Sequence, residues 1–295
     1  MGKSGRDWTQ IYAIYGMEDW QTLIFLLIQA FLFTFMSLIF LLYFNTVSTF
    51  FEHLMFSALP SNAPRFIAGF TGSVTALSAV CLFVAAGNIF YSSITLYWEM
   101  ANRVVNVVND WSTVKTALDV GCGRGILLNA VAWQLKKAGS SGRVVGLARR
   151  KTLTVSTLRT AKIEGVQEYV TCRDGDARRL PFADCYFDVV VSAVFLHTVG
   201  KEFGHRTAAA AAERMKGLGE LVRVLKPGAV GVIWDLVHVP EYVQRLRELR
   251  MEDIRVSERV TAFMVSSHMV SFRKPKEQML GPWEIRVDWR CNNMC

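Results

Sequence analysis

Two long uncharged stretches constrain the fold of this chain more than any other feature. Neither Trp20 to Phe51 nor Phe66 to Trp98 includes an Asp, Glu, Lys or Arg. Leu23 to Phe44 is almost continuous Leu, Ile, Phe and Met, and a helix of that length extends about 33 Å, enough to cross a bilayer. The sequence therefore predicts a two-span membrane anchor over residues 20–98. The second stretch carries small residues at helical spacing, which favour close helix packing: Gly69, Gly72, Ser73 and Ala76.

A cleaved signal peptide and a buried core helix are the alternative interpretations of these stretches. A signal peptide begins with basic residues and has an apolar core of about 7 to 15 residues. Here the acidic residues Asp7, Glu18 and Asp19 precede a longer apolar segment, so membrane helices are favoured.

The charges that flank the spans predict their orientation. Three basic residues lie at the outer ends, whereas Arg65 alone lies in the segment 45–65, which contains two prolines and is predicted to be a loop. Because Lys and Arg are more frequent in cytoplasmic segments, both termini and the C-terminal domain are predicted to face the cytoplasm. The outer basic residues are Lys3, Arg6 and Arg103.

The positive charge belongs to the C-terminal two thirds of the chain. The formal net charge is +8, but residues 1–100 hold three Lys or Arg and five Asp or Glu. A basic domain beside a bilayer can contact anionic headgroups, and a solvated charged face is the alternative. Too few aromatic residues alternate with the basic ones to indicate a nucleic-acid partner. The candidate headgroup contacts are Arg178, Arg179, Arg245, Arg247 and Arg250.

Residues 99–115 connect the second stretch to the basic region. Apolar residues recur there at i, i+3, i+4, i+7 and i+10, which predicts an amphipathic linker helix. Such a helix packs either on the following domain or along the membrane surface. The apolar residues are Ala101, Val104, Val105, Val108 and Trp111.

Short apolar runs alternate with helical patterns over residues 116–275. This alternation predicts an α/β fold, a doubly wound and mostly parallel sheet with helices on both faces. An antiparallel hairpin over residues 254–272 is predicted at one sheet edge, and residues 1–19 and 276–295 are predicted to be terminal tails. The predicted strands are Thr116–Val120, Val144–Leu147, Tyr169–Cys172, Phe187–Val191 and Val230–Trp234, and the predicted helices are Ile126–Lys137, Leu153–Glu164, Thr207–Val224 and Glu241–Met251.

A glycine cluster follows the first predicted strand. Gly121, Gly123 and Gly125 have the spacing i, i+2, i+4, whereas dinucleotide-binding loops have glycines at i, i+2, i+5, so NAD and FAD are disfavoured. The glycines permit a tight turn and let a ligand approach the backbone, and Asp119 offers an anionic acceptor. No CxxC pair or histidine cluster indicates a metal site.

Four segments of the chain resemble motifs of one family, in the family's order. They are LDVGCGRG at 118–125, DGDARRLPF at 174–182, YFDVVVSAVFLH at 186–197 and LVRVLKPGAVGVIWD at 221–235. On these motifs, residues 112–275 resemble the class I S-adenosylmethionine-dependent methyltransferases of the methyltransferase type 11 group, with a looser likeness to the ubiquinone and menaquinone biosynthesis methyltransferases. The resemblance implies a class I methyltransferase fold, with S-adenosylmethionine as the cofactor.

The resemblance also implies which residues bind that cofactor. Asp119 would support its amino group, and Asp176, with Ala177 beside it, would accept a hydrogen bond from the adenine amine. Ser192 would contact the cofactor at the end of the fourth strand. The methionine portion would face the glycine loop, namely Gly121, Cys122, Gly123 and Gly125.

One position departs from the family pattern. The family places Asp or Glu at the end of the second strand, where it binds both ribose hydroxyls, and this chain has Ala148 there. Each missing hydrogen bond is worth about 0.5 to 1.5 kcal/mol, so we expect cofactor affinity to fall about tenfold unless other groups compensate. A degenerate methyltransferase fold that serves as a membrane-tethered ligand-binding module or scaffold is therefore the alternative to an active enzyme.

His197, at the end of the fourth strand, is the leading candidate for a general base, which a hydroxyl acceptor would require. Asp235, Glu202 and His205 are further candidates, and a capping role for His197 is the alternative. The predicted anchor favours a lipophilic or membrane-associated small molecule as the methyl acceptor. A membrane-bound nicotinamide oxidoreductase is a third possibility, but it requires the glycine spacing that this chain lacks.

Overall fold

The computed structural model describes residues 8–17, 20–54, 63–148, 151–204, 207–262 and 265–276. The chain divides into two compact units. One, which we call the helical unit, comprises Met17–Ile94, and the other, the α/β unit, joins Met1–Gly16 to Thr95–Cys295. The first helix, α1 (Trp8–Tyr15), therefore belongs to the α/β unit although it precedes the helical unit in the sequence.

The described part of the helical unit contains α2 (Trp20–Leu42), α3 (Phe44–Leu54) and α4 (Ala63–Tyr91). α2 packs along α4, and a Cβ on Gly72 would lie only 3.0 Å from the Cβ of Phe40, so a small residue allows this close approach. The outer side chains are exposed, Leu41 by 73% and Phe66 by 72%. By length and composition, α2 and the helix that begins at Ala63 are candidate membrane spans.

The helix α3 corrects the prediction of a loop over residues 45–65. Val47, Ser48 and Phe51 lie at i, i+1 and i+4 and are at least partly buried, because α3 packs against α4. Its Asn, Ser and Thr residues are poor helix formers, so the local pattern indicated a loop where tertiary packing stabilises a helix. Of the two prolines in this segment, Pro60 lies outside the described residues. Pro64 lies in the first turn of α4, where a helix tolerates proline.

Eight strands form one sheet in the described part of the α/β unit. Their order is β3-β2-β1-β4-β5-β8-β6, and β7 pairs with β8. Strands β1 to β5 are parallel to one another, and β8 is antiparallel to β5, β6 and β7. This mixed sheet with crossover helices has the class I methyltransferase, Rossmann-like fold. The strands are β1 (Thr116–Val120), β2 (Arg143–Ala148), β3 (Val170–Asp174), β4 (Phe187–Ala193), β5 (Leu225–Asp235), β6 (Glu252–Val256), β7 (Val260–Ala262) and β8 (Val265–Arg273). The helices after α4 are α5 (Tyr97–Val105), α6 (Ile126–Lys137), α7 (Lys151–Ile163), α8 (Ala208–Val224) and α9 (Val239–Glu248).

The edge of the sheet differs from a simple hairpin. The first predicted segment is divided into β6 and β7, and residues 257–259 between them are not in a strand. The second segment forms β8, which lies between β5 and β6. β6 is consequently the edge strand at this end of the described sheet.

α5 ends at Val105, so the linker helix predicted over residues 99–115 is shorter than expected. The Asp110 carboxylate accepts hydrogen bonds from the backbone N–H and the hydroxyl of Ser112, at 2.9 and 2.7 Å, and such local bonds compete with a helix. The Trp111 indole N–H donates to the Val105 carbonyl at 3.1 Å. All five residues of the apolar stripe are buried, and α5 packs on α6, so the stripe covers the α/β unit.

The three central strands determine where a ligand can bind. β1, β4 and β5 are neighbours, and their carboxyl ends, at Val120, Ala193 and Asp235, are all buried. In an open parallel sheet, ligands bind beyond the carboxyl ends of the strands near the switch in strand order. The loops after these strands therefore form the candidate site.

Candidate active site

The loop after β1 turns sharply back on the sheet. The backbone N–H groups of Gly121 and Cys122 both donate to the Leu147 carbonyl, at 3.0 and 3.1 Å. The φ angles of Gly121, Gly123 and Gly125 are 81°, 50° and 87°, a region that favours glycine. A Cβ on Gly121 would also lie 2.1 Å from the Cγ of Phe195. Both the backbone angle and the neighbouring ring thus require glycine at this position.

Two side chains of α7 and a backbone carbonyl of α1 support the same loop. The Thr157 hydroxyl donates to the Gly123 carbonyl at 2.8 Å, and the Thr160 hydroxyl donates to the Arg124 carbonyl at 3.0 Å. The Arg124 guanidinium in turn donates to the Tyr15 carbonyl at 2.7 Å. These residues were not predicted from the sequence, because their contacts join segments more than thirty residues apart and no local pattern marks them.

The carboxylate of Asp119 lies buried at the end of β1. The residue is 1% exposed, and neither carboxylate oxygen makes a hydrogen bond. Burial raises the pKa of Asp119 to about 8, and the backbone N–H of Leu128, which lies nearby without making a hydrogen bond of normal geometry, offsets only part of this effect. An unpartnered buried carboxylate is costly, so this group fits a ligand that brings a cation or a strong hydrogen-bond donor.

Other predicted cofactor residues lie at the same edge of the sheet. The Ser192 hydroxyl donates to the Val120 carbonyl at 2.9 Å and so joins β4 to β1. Cys122 is buried with its thiol close to Gly146 of β2, which leaves its backbone as the part that could contact a ligand. Ala177 is buried in the core cluster. Ala148 is 1% exposed and lies opposite Asp174 of β3 in the strand register.

Asp176 differs from the expectation in one respect, because it is already engaged by a neighbour. Arg178 binds both of its carboxylate oxygens through Nε and Nη2, with the Nη2 contact at 2.6 Å. Arg178 also forms ion pairs with Glu202 at 2.6 Å and Glu213 at 3.3 Å. A ligand amine at Asp176 must share that carboxylate with Arg178. A small pocket opens beside this cluster and is lined by Gly175, Asp176, Ala177, Phe195, Thr198 and Glu202, among others.

His197 and Asp235 form a hydrogen-bonded pair at the ends of β4 and β5. The Nδ1 atom of His197 lies 2.5 Å from Oδ1 of Asp235, and the His197 backbone N–H donates to Oδ2 at 2.9 Å. Asp235 is fully buried and also accepts from the Leu236 N–H at 2.8 Å and from the Tyr242 hydroxyl at 3.1 Å. Burial and the adjacent Asp235 raise the pKa of Tyr242, so its hydroxyl stays protonated and donates.

This arrangement determines the form of the His197 ring. Because a carboxylate can only accept, Nδ1 carries the proton in this pair, and in the neutral ring the lone pair is therefore on Nε2. The His197 side chain is 14% exposed, which leaves the ring partly accessible. Both residues are candidates from the sequence, but their pairing was not predicted.

The remaining candidates have other positions. Glu202 is held in the Arg178 ion-pair cluster, and His205 lies outside the described residues. Among the residues that the structure describes, no group of three or more His, Cys, Asp or Glu side chains could hold a metal ion.

Residues 118–233 match a family model described as a methyltransferase domain. A chloroplastic 2-phytyl-1,4-beta-naphthoquinone methyltransferase of Arabidopsis thaliana is 31% identical over 129 residues, which cover 42% of this chain and 44% of that protein. A demethylmenaquinone methyltransferase of Lactobacillus johnsonii is 36% identical over 118 residues, which cover 40% of this chain and 42% of that protein. The chain thus spans less than half the length of these curated relatives.

A solved structure of a proposed sarcosine dimethylglycine methyltransferase from Galdieria sulphuraria has the same fold. It superposes with a TM-score of 0.50 at 14% identity, covering 64% of this chain and 88% of that chain. At this identity the likeness concerns the fold alone. The family match and the sequence relatives support a class I, S-adenosylmethionine-dependent methyltransferase domain over residues 118–233.

Proposed function

We propose that this chain is a membrane-anchored S-adenosylmethionine-dependent methyltransferase that methylates a lipophilic, membrane-associated acceptor. The observation that carries the proposal is the buried, unpartnered carboxylate of Asp119 directly behind the glycine loop. The cofactor has an ammonium group and an adenine amine, and this edge of the sheet offers carboxylates at Asp119 and Asp176. These donor and acceptor types match, so the residues present fit the cofactor.

When bound, S-adenosylmethionine supplies an electrophilic methyl group whose sulfonium charge is lost on transfer. The protein then has to hold the acceptor in line and exclude water. For a hydroxyl acceptor, we infer that Nε2 of His197 takes the hydroxyl proton as the acceptor oxygen bonds to the methyl carbon. In the neutral ring, the buried carboxylate of Asp235 holds the proton on Nδ1 and so leaves the lone pair on Nε2, and it stabilises the imidazolium that forms when Nε2 takes the proton.

The fold supports an even number of membrane crossings between α1 and α5. Both helices belong to the α/β unit, and the two candidate spans lie between them in the sequence. Two proteins that the chain is similar to are named for naphthoquinone or menaquinone substrates. We therefore propose that the reduced, quinol form of a demethylated quinone with a long apolar tail is the first acceptor to test, because its hydroxyl group carries the proton that His197 takes, and that the domain faces the cytoplasm.

A second candidate function, ligand binding without turnover, is favoured by two observations. Ala148 offers no carboxylate to the ribose, and the Asp176 carboxylate is engaged by Arg178. Such a protein would bind the cofactor weakly and act as a membrane-tethered module. His197 and Asp235 argue for the enzyme, because a binding module does not require an oriented base.

The test uses the full chain in detergent micelles, because α1 is part of the α/β unit and a shortened domain would lack it. We expect calorimetry to show micromolar binding of S-adenosylmethionine that is lost in Asp176→Ala. We expect methyl transfer to the reduced, quinol form of a demethylated naphthoquinone, and we expect this transfer to be lost in His197→Ala without loss of cofactor binding. No binding at millimolar cofactor by the folded chain would refute the enzyme, and binding without transfer to any lipophilic acceptor would favour the second candidate.

A further inference from the structure

The chain leaves the α/β unit and returns to it at one place. Tyr15 is the last residue of α1, and its ring centroid lies 6.2 Å from that of Trp98 in α5. In the sequence, four residues separate Tyr15 from Trp20, the first residue of α2, and five separate α4 from α5.

These short connections tether the α/β unit to the two candidate membrane spans. The inference rests on the membrane part of the proposed function, because a domain tethered to a bilayer can rest an apolar and basic face on lipid. The helix α7, which packs against α1 within the α/β unit, has such a face.

The outer face of α7 has the composition of a lipid-binding surface. Thr157, Thr160 and Ala161 face inward and are buried, whereas the opposite face combines exposed apolar and basic residues. No Asp or Glu occurs in the helix. We call this face the α7 stripe; it consists of Val155, Leu158, Arg159, Lys162 and Ile163, of which the apolar members are 71%, 42% and 54% exposed.

We propose that the α7 stripe lies on an anionic membrane surface, with its apolar side chains in the headgroup region and its two basic residues on lipid phosphates. A solvated helix face normally carries polar residues at such positions, whereas an interfacial helix combines apolar and basic ones. Arg159 and Lys162 make no ion pair with any described residue, so their charges are free for a partner.

This assignment differs from the arginines predicted from the sequence. Arg178 is paired with Asp176, Glu202 and Glu213, and Arg245 is paired with Glu248 at 3.0 Å. Charges already neutralised within the protein contribute little to attraction by anionic lipid. Arg159 and Lys162 of α7 are therefore better suited to that role than Arg178 and Arg245.

The test places the full chain in nanodiscs that contain photoactivatable phosphatidylserine, with adducts mapped by mass spectrometry. We expect adducts in α2, in α4 and on residues 155–163. We expect the α7 adducts to fall several-fold in Val155→Gln/Leu158→Gln and in Arg159→Gln/Lys162→Gln. The matched control is Val256→Gln, because Val256 in β6 is 48% exposed and belongs to a different part of the unit.

The outcomes separate this proposal from the proposed function. Adducts in α2 and α4 without adducts on α7 would overturn the α7 proposal and leave the anchor intact. Crosslinks between two α7 helices in place of lipid adducts would also overturn it, since the stripe would then be a contact between copies of the chain. Absence of adducts from α2 and α4 would remove the anchor and the proposal together. Cofactor binding measured on the same sample reports on the enzyme independently.

Discussion

Replacing Asp119 by Asn is expected to stabilise the protein and weaken cofactor binding at the same time. In the unfolded chain the carboxyl group ionises with its ordinary pKa of 3.8, whereas burial raises the folded pKa to about 8. Between these values the folded state holds a proton that the unfolded state does not, so stability falls as pH rises from about 4 to about 8. At pH 7 the cost is about 4 kcal/mol.

The asparagine amide is neutral and so lacks this cost. An unsatisfied buried amide still costs about 1 to 3 kcal/mol, which leaves a net stabilisation of about 2 kcal/mol at pH 7. For a domain of this size that corresponds to an increase of roughly 4 to 8 °C in Tm. Loss of a charged hydrogen bond to the cofactor, worth about 1.5 to 3 kcal/mol, should weaken binding roughly 10- to 150-fold.

The assay follows tryptophan fluorescence of the full chain in micelles during heating at pH 5, 6, 7 and 8, together with calorimetry of S-adenosylmethionine. The Tm difference between Asp119→Asn and the wild type should widen as pH rises. Asp188→Asn is the matched control. Burial alone would raise the pKa of Asp188, but hydrogen bonds from Lys226, Thr116 and Lys115 lower it below its usual value, so this variant should lose stability. A lower Tm for Asp119→Asn at pH 7 and 8 would refute the reasoning.

Three further substitutions test the site. Asp235→Asn removes the charged partner of His197 and should lower kcat about 10- to 100-fold, with the KM for the cofactor unchanged in steady-state assays. Ala148→Asp should lower the cofactor Kd about tenfold by calorimetry, and an unchanged Kd would mean that other groups already compensate. Gly121→Ala should abolish cofactor binding in a chain that still folds by circular dichroism, because its Cβ would meet the Phe195 ring; normal binding would show that the loop is not the site.

Much of the fold could be predicted because its signals are local. The bounds of β1 and α6 coincide with the predicted ones, since an apolar run, a glycine cluster and basic residues at the helix end mark them within the single segment Thr116–Lys137. The class of the sheet followed from the alternation of strands and helices. The helix α3 was predicted wrongly as a loop, because packing against α4 stabilises a segment with poor helix propensity.

The contacts within the site depended on segments that are distant in the sequence. Asp235 and His197 were both named as candidates, but the bond between them arises from the pairing of β4 with β5. The engagement of Asp176 by Arg178 is local and was missed, because ion pairing depends on side-chain direction and not on residue type alone. The hydrogen bonds from α7 to the glycine loop could not be predicted, because no local sequence pattern marks them.

The position of α1 has a consequence for biosynthesis. The Tyr15 hydroxyl donates to Glu164 at 3.0 Å across 149 residues of sequence, and at about 5 to 20 residues per second the ribosome needs roughly 7 to 30 s to make that interval. The helical unit is synthesised in between, so α1 must remain undocked while the apolar helices leave the ribosome. The α/β unit is consequently completed late in synthesis. The first helix to be made, α1, is among the last to dock.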